Sequence, residues 1–190
     1  MLQREGLPVR LVVSVRSIWC EVFCLKEFRR VRVVFVCIGN SCRSPMAEGI
    51  AAHIASDVME VSSAGVAALG RVQTMSKLTL TKNGYPAEGL ESKPCEDVDL
   101  ETADIIINMT GRPGQAVFQD ASKVEDWDVE DPYGSDVETY QRIFEDIERR
   151  VVELVGRVRT SEAGKFTARN LGEEGSDQGM EGGRAKGSGQ

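Results

Sequence analysis

The residues best suited to chemistry stand together in one short stretch, Arg32–Glu48. Arg43 follows the thiol Cys37 with five residues between them, and Ser44 and Pro45 come directly after it. A planar guanidinium grips two oxygens of an oxyanion in a way that a lysine ammonium cannot match. A thiolate is a strong nucleophile, and a neighbouring hydroxyl can donate a hydrogen bond to its sulfur. The stretch therefore predicts nucleophilic attack by Cys37 on a bound phosphate.

The elements needed to position these groups are visible on both sides of Cys37. The run Val33–Val36 is apolar and mostly β-branched, which is typical of a buried parallel strand. Gly39 and Asn40 tolerate the positive φ angles that a tight loop needs. Pro45 suits the first turn of a helix, where its missing N–H costs nothing. We predict a strand, a cradle-shaped loop and a helix N-terminus, whose amides form an anion site.

The predicted phosphate site divides into reacting and binding residues. Cys37 is the candidate nucleophile, and Arg43 is the candidate that stabilises the charge on the phosphate. The residues expected to bind the substrate around them are Ile38, Gly39, Asn40, Ser41, Cys42, Ser44 and, from a later turn, Tyr133.

Displacement of an alkoxide, phenolate or amide anion also requires a proton donor, and Asp131 is the candidate. Asp-Pro turns are common on protein surfaces, so the turn around Pro132 would not by itself indicate catalysis. Its position before the last helical segment, together with the phosphate loop, favours an acid. After the transfer, the same carboxylate would act as a base and activate water. Tyr133 would form one wall of the pocket.

The string V-F-V-C-I-G-N-S-C-R-S-P-M-A-E, Val34–Glu48, resembles the low-molecular-weight protein tyrosine phosphatase family. Three later segments are also similar to that family: Ser63–Gly65 after the second strand, Ala103–Met109 in the third strand and Asp131–Gly134 in the acid turn. The resemblance covers residues 32–158. It implies hydrolysis of a phosphorylated protein or peptide through a cysteinyl-phosphate intermediate, without a metal or another cofactor.

The sequence departs from the family at two places. The segment Leu90–Pro94 lacks the histidine that many members carry there, which puts support of Asn40 from that side in question. Ser41 stands where tyrosine-directed members often have isoleucine, whereas protein-arginine phosphatases resemble this chain in their small hydroxyl residue. We expect Ser41 to lie on the rim of the loop and to govern the choice between phosphotyrosine, the first candidate substrate, and phosphoarginine.

Two other functions compete with this interpretation. Thioredoxin-coupled arsenate reductases resemble the chain at Gly39–Ser44, but they need two further cysteines after the third strand. The corresponding region, Met109–Lys123, contains none. A silent phosphate-binding module is disfavoured because a complete set of reactive residues is present.

Cys42 has two interpretations that remain open. The resemblance implies a reversible disulfide with Cys37, which would protect the nucleophile from over-oxidation. A small buried residue beneath the loop is the alternative. Cys20 and Cys24 add a C-x3-C pair, but Cys37 and Cys42 belong to the loop, so no metal site is predicted.

Composition limits the partners. The net charge of −7 and a pI near 4.9 argue against nucleic acid or an anionic membrane as the main partner. The five cysteines form an odd count without the spacing of a disulfide scaffold, which fits a reducing cytoplasm. There is no apolar run of about 18 residues, so no membrane span is predicted. We expect a cytoplasmic monomer.

Strands alternate with helical segments along the chain, which predicts an α/β fold. We expect a three-layer sandwich with a central four-stranded parallel sheet and helices on both faces. The predicted helices are Met46–Ala55, Thr74–Asn83 and Val137–Val158, and the later strands are Met59–Ser63, Asp104–Met109 and one that begins near Lys123–Asp126.

Three regions follow from this pattern. Residues 31–159 form the phosphatase-like domain. Residues 1–30 are interrupted by charges and lack a clean signal-peptide core, so they are expected to be a poorly ordered extension or a non-native start. Residues 160–190 are rich in glycine and glutamate and are expected to be disordered.

Overall fold

The computed structural model describes residues 29–172. Of the predicted flanking segments, residues 1–28 and 173–190 therefore lie outside the described part. Cys20 and Cys24 fall in the first of them.

Four parallel strands form the central sheet, as the sequence predicts. They are β1 (Val31–Cys37), β2 (Met59–Gly65), β3 (Ile105–Asn108) and β4 (Val124–Asp126), in the order β2-β1-β3-β4. The first strand is central, with Cys37 opposite Gly65 on one side and Val36 opposite Asn108 on the other. The strands β2 and β3 lie on opposite sides of β1, so the strand order reverses at β1. Open parallel sheets bind ligands at the carboxyl ends of the strands at such a point, which is where the loop after β1 lies.

Three α-helices connect and follow the strands. They are α1 (Arg43–Ala55), α2 (Thr74–Lys82) and α3 (Val137–Gly172), and two short 3-10 helices lie at Cys95–Asp97 and Gly114–Ala116. The helix α1 begins at the arginine itself, with Pro45 in its first turn. The helix α3 continues past Val158, where the sequence predicted its end, and reaches Gly172. The predicted disorder of residues 160–190 stays a prediction.

The main core lies between the sheet and the three α-helices. Val33, Phe35 and Cys37 point into this core from β1, where they meet side chains such as Ile50 of α1 and Phe144 of α3. The long helix supplies most of the helical face, through Tyr140, Ile143, Phe144, Ile147, Val151, Leu154, Val155 and Val158. Val137, the first residue of this helix, is exposed.

The opposite face of the sheet is covered by the two short 3-10 helices and by loops, so helices lie on both faces of the sheet, as the sequence predicts. Val34 and Val36 form a smaller cluster there, packed against Cys95, Val98 and Phe118. Prolines and glycines interrupt the segment between α2 and β3, including Gly84, Pro86, Gly89 and Pro94, and they prevent a long helix. Short 3-10 helices and loops therefore form this third layer. Within residues 29–172, no helix is long and apolar enough to cross a membrane.

Candidate active site

The loop that joins β1 to α1, residues 38–42, is held from outside through its carbonyl groups. The carbonyls of residues 37, 38 and 39 accept hydrogen bonds from the amides of residues 66, 67 and 69 at 3.1, 2.8 and 2.9 Å. The carbonyl of Ser41 accepts from the amide of Gln73 at 2.9 Å and from the hydroxyl of Ser76 at 3.2 Å. The outward face of the loop is therefore fixed by the segment that follows β2.

The amides of the same loop are not engaged in this way. Within residues 29–172, none of the N–H groups of residues 38–42 donates to a backbone carbonyl. The Nε of Arg43 is also buried without a partner among the described residues. Successive free amides at a helix N-terminus form an anion-binding concavity, to which a guanidinium adds charge and further donors. The arrangement can hold an oxyanion with several oxygens.

Cys37 ends β1 at the base of this loop. Its side chain is buried, and the hydroxyl of Ser44 donates to its sulfur at 3.0 Å. The same bond helps the sulfur to leave when it is the leaving group.

Asn40 connects the loop to β2 and to the segment before the first 3-10 helix. It has a positive φ of 45°, the only one among the non-glycine residues that the structure describes. Its Nδ2 donates to the hydroxyls of Ser44 at 2.9 Å and Ser63 at 2.8 Å, and its Oδ1 accepts from the backbone amide of Lys93 at 2.7 Å. The missing histidine therefore does not leave Asn40 unsupported, because a backbone amide replaces it. Gly39, by contrast, does not use a positive φ.

Arg43 and Asp131 meet at the mouth of the site. The Nη2 of Arg43 donates to the Oδ2 of Asp131 at 2.5 Å, and its Nη1 donates to the carbonyl of Val129 at 3.2 Å. The side chain of Arg43 is 4% exposed and that of Asp131 is 42% exposed. The amide of Tyr133 donates to the other carboxylate oxygen at 3.1 Å. The acid turn thus lies directly over the loop.

The position of Ser41 differs from the prediction. This residue is 3% exposed, and its hydroxyl lies 3.6 Å from the sulfur of Cys42, so it does not stand on the rim. Four large apolar or aromatic side chains are exposed near the loop, namely Ile38, Val66, Leu69 and Tyr133. Leu69 approaches the loop closely, since a Cβ at Gly39 would lie 3.1 Å from it. Nothing in the sequence singled out Leu69.

Cys42 is a free, buried thiol, and so is Cys37. The sulfur of Cys42 lies 3.3 Å from the hydroxyl of Tyr140 on α3. Burial raises the pKa of Tyr140 above its ordinary value, and the hydrogen bond with Cys42 adds to this effect. The geometry fits the interpretation of Cys42 as a small residue packed beneath the loop, and it leaves the disulfide with Cys37 a prediction.

Two further residues whose side chains could do chemistry, one on α1 and one after β4, take no part in the site. His53 is exposed on α1, where its ring meets Tyr85 edge-on at 5.4 Å. Trp127 is buried against Phe35, with ring centroids 6.1 Å apart, and so belongs to the core. Ser63 and Glu48 are polar residues of the site to which sequence reasoning gave no role. For Ser63, the similarity of Ser63–Gly65 to the family was a signal in the sequence that could have indicated a role in the site.

The fold and this loop together define a phosphatase-like α/β domain with a cysteine beneath an anion site. The model of the low molecular weight phosphotyrosine protein phosphatase family matches residues 32–163, and the chain belongs to this family.

Members of different activity resemble the chain to a similar degree. It is 31% identical to a glutaredoxin arsenate reductase from Synechocystis sp., covering 67% of this chain and 98% of that protein. It is 30% identical to the low molecular weight protein-tyrosine-phosphatase PtpB of Staphylococcus haemolyticus, and the match covers 69% of this chain and 99% of that protein. The solved structure of the YwlE arginine phosphatase from Geobacillus stearothermophilus superimposes with a TM-score of 0.62 at 27% identity. This match covers 70% of this chain and 96% of that structure.

Proposed function

We propose that the chain is a protein phosphatase that hydrolyses phosphotyrosine, with phosphoarginine as the second candidate substrate. The observation that carries this proposal is the loop of residues 38–42, whose amides donate to no backbone carbonyl within residues 29–172 while most of its carbonyls accept hydrogen bonds. Cys37 lies at the base of that loop and the Arg43–Asp131 pair at its mouth. A nucleophile, an oxyanion site and a proton donor are thereby brought together.

In the first step, the phosphoryl group binds to the loop amides and to Arg43. The thiolate of Cys37 attacks phosphorus, so that an S–P bond forms while the bond from phosphorus to the substrate oxygen or nitrogen breaks. Protonated Asp131 gives its proton to that leaving atom. The electron pair of the broken bond remains on the leaving group, which departs neutral.

In the second step, the carboxylate of Asp131 takes a proton from water, and the water oxygen attacks phosphorus. The S–P bond breaks, inorganic phosphate leaves and the sulfur recovers its electron pair. The hydroxyl of Ser44, 3.0 Å from the sulfur, stabilises the thiolate that is released. Neither step requires a further cofactor.

The side chains around the mouth support an aromatic leaving group. Ile38, Leu69 and Tyr133 are exposed apolar or aromatic surfaces beside the loop. A flat phenol ring gains contact with such walls, and each lost or gained apolar contact is worth about 10–200-fold in discrimination. Phosphoarginine remains a candidate substrate because one relative is a protein-arginine-phosphatase and because residue 41 is a serine with a small hydroxyl. We place it second because the exposed side chains beside the loop favour an aromatic ring.

Reduction of arsenate is the alternative function, and it is supported by the arsenate reductases among the relatives. The segment Met109–Lys123 has no cysteine that could supply electrons to arsenate bound at Cys37. Cys95 precedes β3 instead, and burial raises its pKa to about 11. A thiol with so high a pKa is a weak nucleophile at neutral pH. Phosphoryl transfer therefore remains our proposal.

Hydrolysis of matched phosphotyrosine and phosphoarginine peptides, measured side by side, tests the proposal. The same preparation is given arsenate with reduced thioredoxin or glutaredoxin, and arsenite is measured. We expect phosphate release from both peptides, a higher kcat/KM for phosphotyrosine and no arsenite above the level of a Cys37→Ser control. Arsenite production without peptide hydrolysis would overturn the proposal.

We further propose a cytoplasmic monomer whose partner is a phosphorylated protein, with residues 31–159 as the catalytic domain. Cys37 and Cys42 would form a reversible disulfide on oxidation. Mass spectrometry of the peroxide-treated protein, with alkylation of free thiols, measures this bond directly. Alkylation of both cysteines after treatment would contradict it.

A further inference from the structure

A branched set of hydrogen bonds links the nucleophile to a carboxyl group on the far side of Asn40. One N–H of the Asn40 amide reaches the hydroxyl of Ser44, which donates to the sulfur of Cys37 at 3.0 Å. The other N–H reaches the hydroxyl of Ser63, which donates to Glu48 at 2.5 Å. Each branch therefore ends on a group that carries a negative charge when ionised.

The direction of these bonds is determined by one backbone group. The amide of Lys93 can only donate, and it points at the Oδ1 of Asn40 from 2.7 Å. The Nδ2 of Asn40 must therefore face the two serines, and both of its hydrogens are used. The oxygen of Ser63 accepts from Asn40, so its own hydrogen is directed towards Glu48. Glu48 thus accepts the one hydrogen of Ser63 that remains, and this bond holds the hydroxyl in that orientation.

We propose that Glu48 is a positioning residue for Cys37, acting through Ser63 and Asn40. Its carboxylate keeps the hydroxyl of Ser63 turned so that the oxygen faces Asn40. This holds the Asn40 amide in the orientation that places the hydroxyl of Ser44 on the sulfur. Without an acceptor at position 48, the hydroxyl of Ser63 competes for other partners and the alignment of Ser44 loosens. The proposal concerns the site of the proposed phosphatase and rests on that function for its kinetic readout.

The electrostatic surroundings of Glu48 separate this role from a structural one. Burial raises the pKa of Glu48, while the hydrogen bond from Ser63 and the charge of Lys93 lower it and the charge of Glu91 raises it. A carboxyl whose pKa is higher in the folded than in the unfolded chain favours folding at low pH. That contribution is lost as the pH rises through the folded-state pKa. At neutral pH, ionisation of Glu48 therefore costs the fold stability relative to the protonated carboxyl.

Two substitutions at position 48 test the proposal. Glu48→Leu removes the acceptor and keeps the bulk, whereas Glu48→Gln keeps an acceptor without the charge. We expect Glu48→Leu to lower kcat about three- to tenfold, the value of one hydrogen bond. Alkylation of Cys37 by iodoacetamide at pH 6 should slow by a similar factor, without a fall in melting temperature at pH 7. Glu48→Gln should recover at least half of both rates. Ser63→Ala should match Glu48→Leu, and the double variant should lose nothing more.

Ser62→Ala is the matched control for Ser63, and Glu60→Gln is the control for an exposed carboxyl of the same strand. Rates for Glu48→Leu equal to these controls would overturn the proposal. Equal losses in Glu48→Leu and Glu48→Gln would also overturn it, because charge rather than an acceptor would then matter. So would a lower melting temperature in proportion to the lost activity. If the wild type hydrolyses no phosphopeptide, the proposed function fails. The alkylation rates still test the role of Glu48 in that case.

Discussion

The carboxylate of Asp131 and the guanidinium of Arg43 form a direct ion pair over the β1–α1 loop, with Oδ2 and Nη2 2.5 Å apart. The proposed proton donor, Asp131, is therefore the hydrogen-bond partner of Arg43, the residue proposed to bind the phosphate. An oxyanion that enters the loop competes with Asp131 for Arg43. Its arrival frees the carboxyl to face the leaving group, so binding of the substrate and placement of the acid are linked.

Asp131→Asn should separate these two effects. The loss of the acid should lower kcat about 10²–10⁴-fold on poor leaving groups. It should lower kcat much less on activated aryl phosphates, which leave without a proton. Because the competing carboxylate is gone, inorganic phosphate should inhibit the variant at least as strongly as the wild type. Steady-state kinetics with both substrate classes measures this, with Asp128→Asn as the exposed control. Equal losses on both classes would show that Asp131 is structural.

Cys37→Ser should abolish turnover and preserve binding of phosphate. A hydroxyl near neutral pH is a far weaker nucleophile than a thiolate, whereas the loop amides and Arg43 remain in place. Titration calorimetry with inorganic phosphate and hydrolysis of an aryl phosphate give the two readouts. Cys95→Ser is the control and should keep full activity. Activity of Cys37→Ser near that of the wild type would exclude it as the nucleophile.

Gly65→Ala should displace the loop. A Cβ at this position would lie 2.8 Å from the amide nitrogen of Asn40 and from the carbonyl oxygen of Ile38, and backbone atoms cannot yield as a flexible side chain does. Overpacking of this kind costs about 1–3 kcal/mol, and we expect kcat/KM to fall further than stability alone explains. Gly156→Ala meets nothing within 4 Å. This control should stabilise the helix by up to about 1 kcal/mol. Chemical denaturation measures the stability of both variants, and steady-state kinetics measures their kcat/KM. A Gly65→Ala enzyme with the activity of the wild type would contradict the close packing of Gly65 against the loop backbone.

Selectivity should depend on Tyr133 more than on Ser41, because Tyr133 is 52% exposed at the mouth and Ser41 is buried. Tyr133→Ala should shift the phosphotyrosine-to-phosphoarginine ratio of kcat/KM away from phosphotyrosine by at least about tenfold. Ser41→Ala should change this ratio by less. Competition between the two peptides in one reaction gives the ratio directly. A larger shift from Ser41→Ala would restore the original expectation for that residue.

A shortened chain of residues 29–160 should unfold cooperatively and keep kcat/KM within about twofold. Val158 is the last buried residue of α3 among those whose side chains the structure describes, and every residue of the proposed site lies inside this range. Thermal melting followed by circular dichroism, compared with the full chain, measures the effect. A broad, non-cooperative transition would show that a flanking segment belongs to the core.

The strand, loop and helix around Cys37 could be predicted because local signals coincide there. The apolar run before Cys37, the tolerant Asn40 and the early Pro45 all favour the same backbone path. The four-stranded parallel sheet followed in the same way from alternating periodicities. These patterns involve residues that are neighbours in the chain, so a single sequence is enough to predict the elements that they form.

Contacts between distant segments could not be predicted in this way. The support of Asn40 comes from the backbone of Lys93, which the identity of a side chain does not reveal. The burial of Ser41 depends on α2 lying against the loop, through Gln73 and Ser76. The third layer lacks an α-helix because prolines and glycines interrupt the chain before β3. These features depend on tertiary packing rather than local pattern.

The dependence of the β1–α1 loop on the segment after β2 also has a consequence for the order of assembly. The backbone contacts that hold the loop come from residues 66–73 and the contact to Asn40 from Lys93, whereas Asp131 lies 88 positions beyond Arg43. A chain is synthesised from its N-terminus, and closure of a longer loop costs more entropy. The partners of the loop therefore leave the ribosome well before the acid turn. The segments that hold the anion loop are thus synthesised before the residue that we propose as the proton donor.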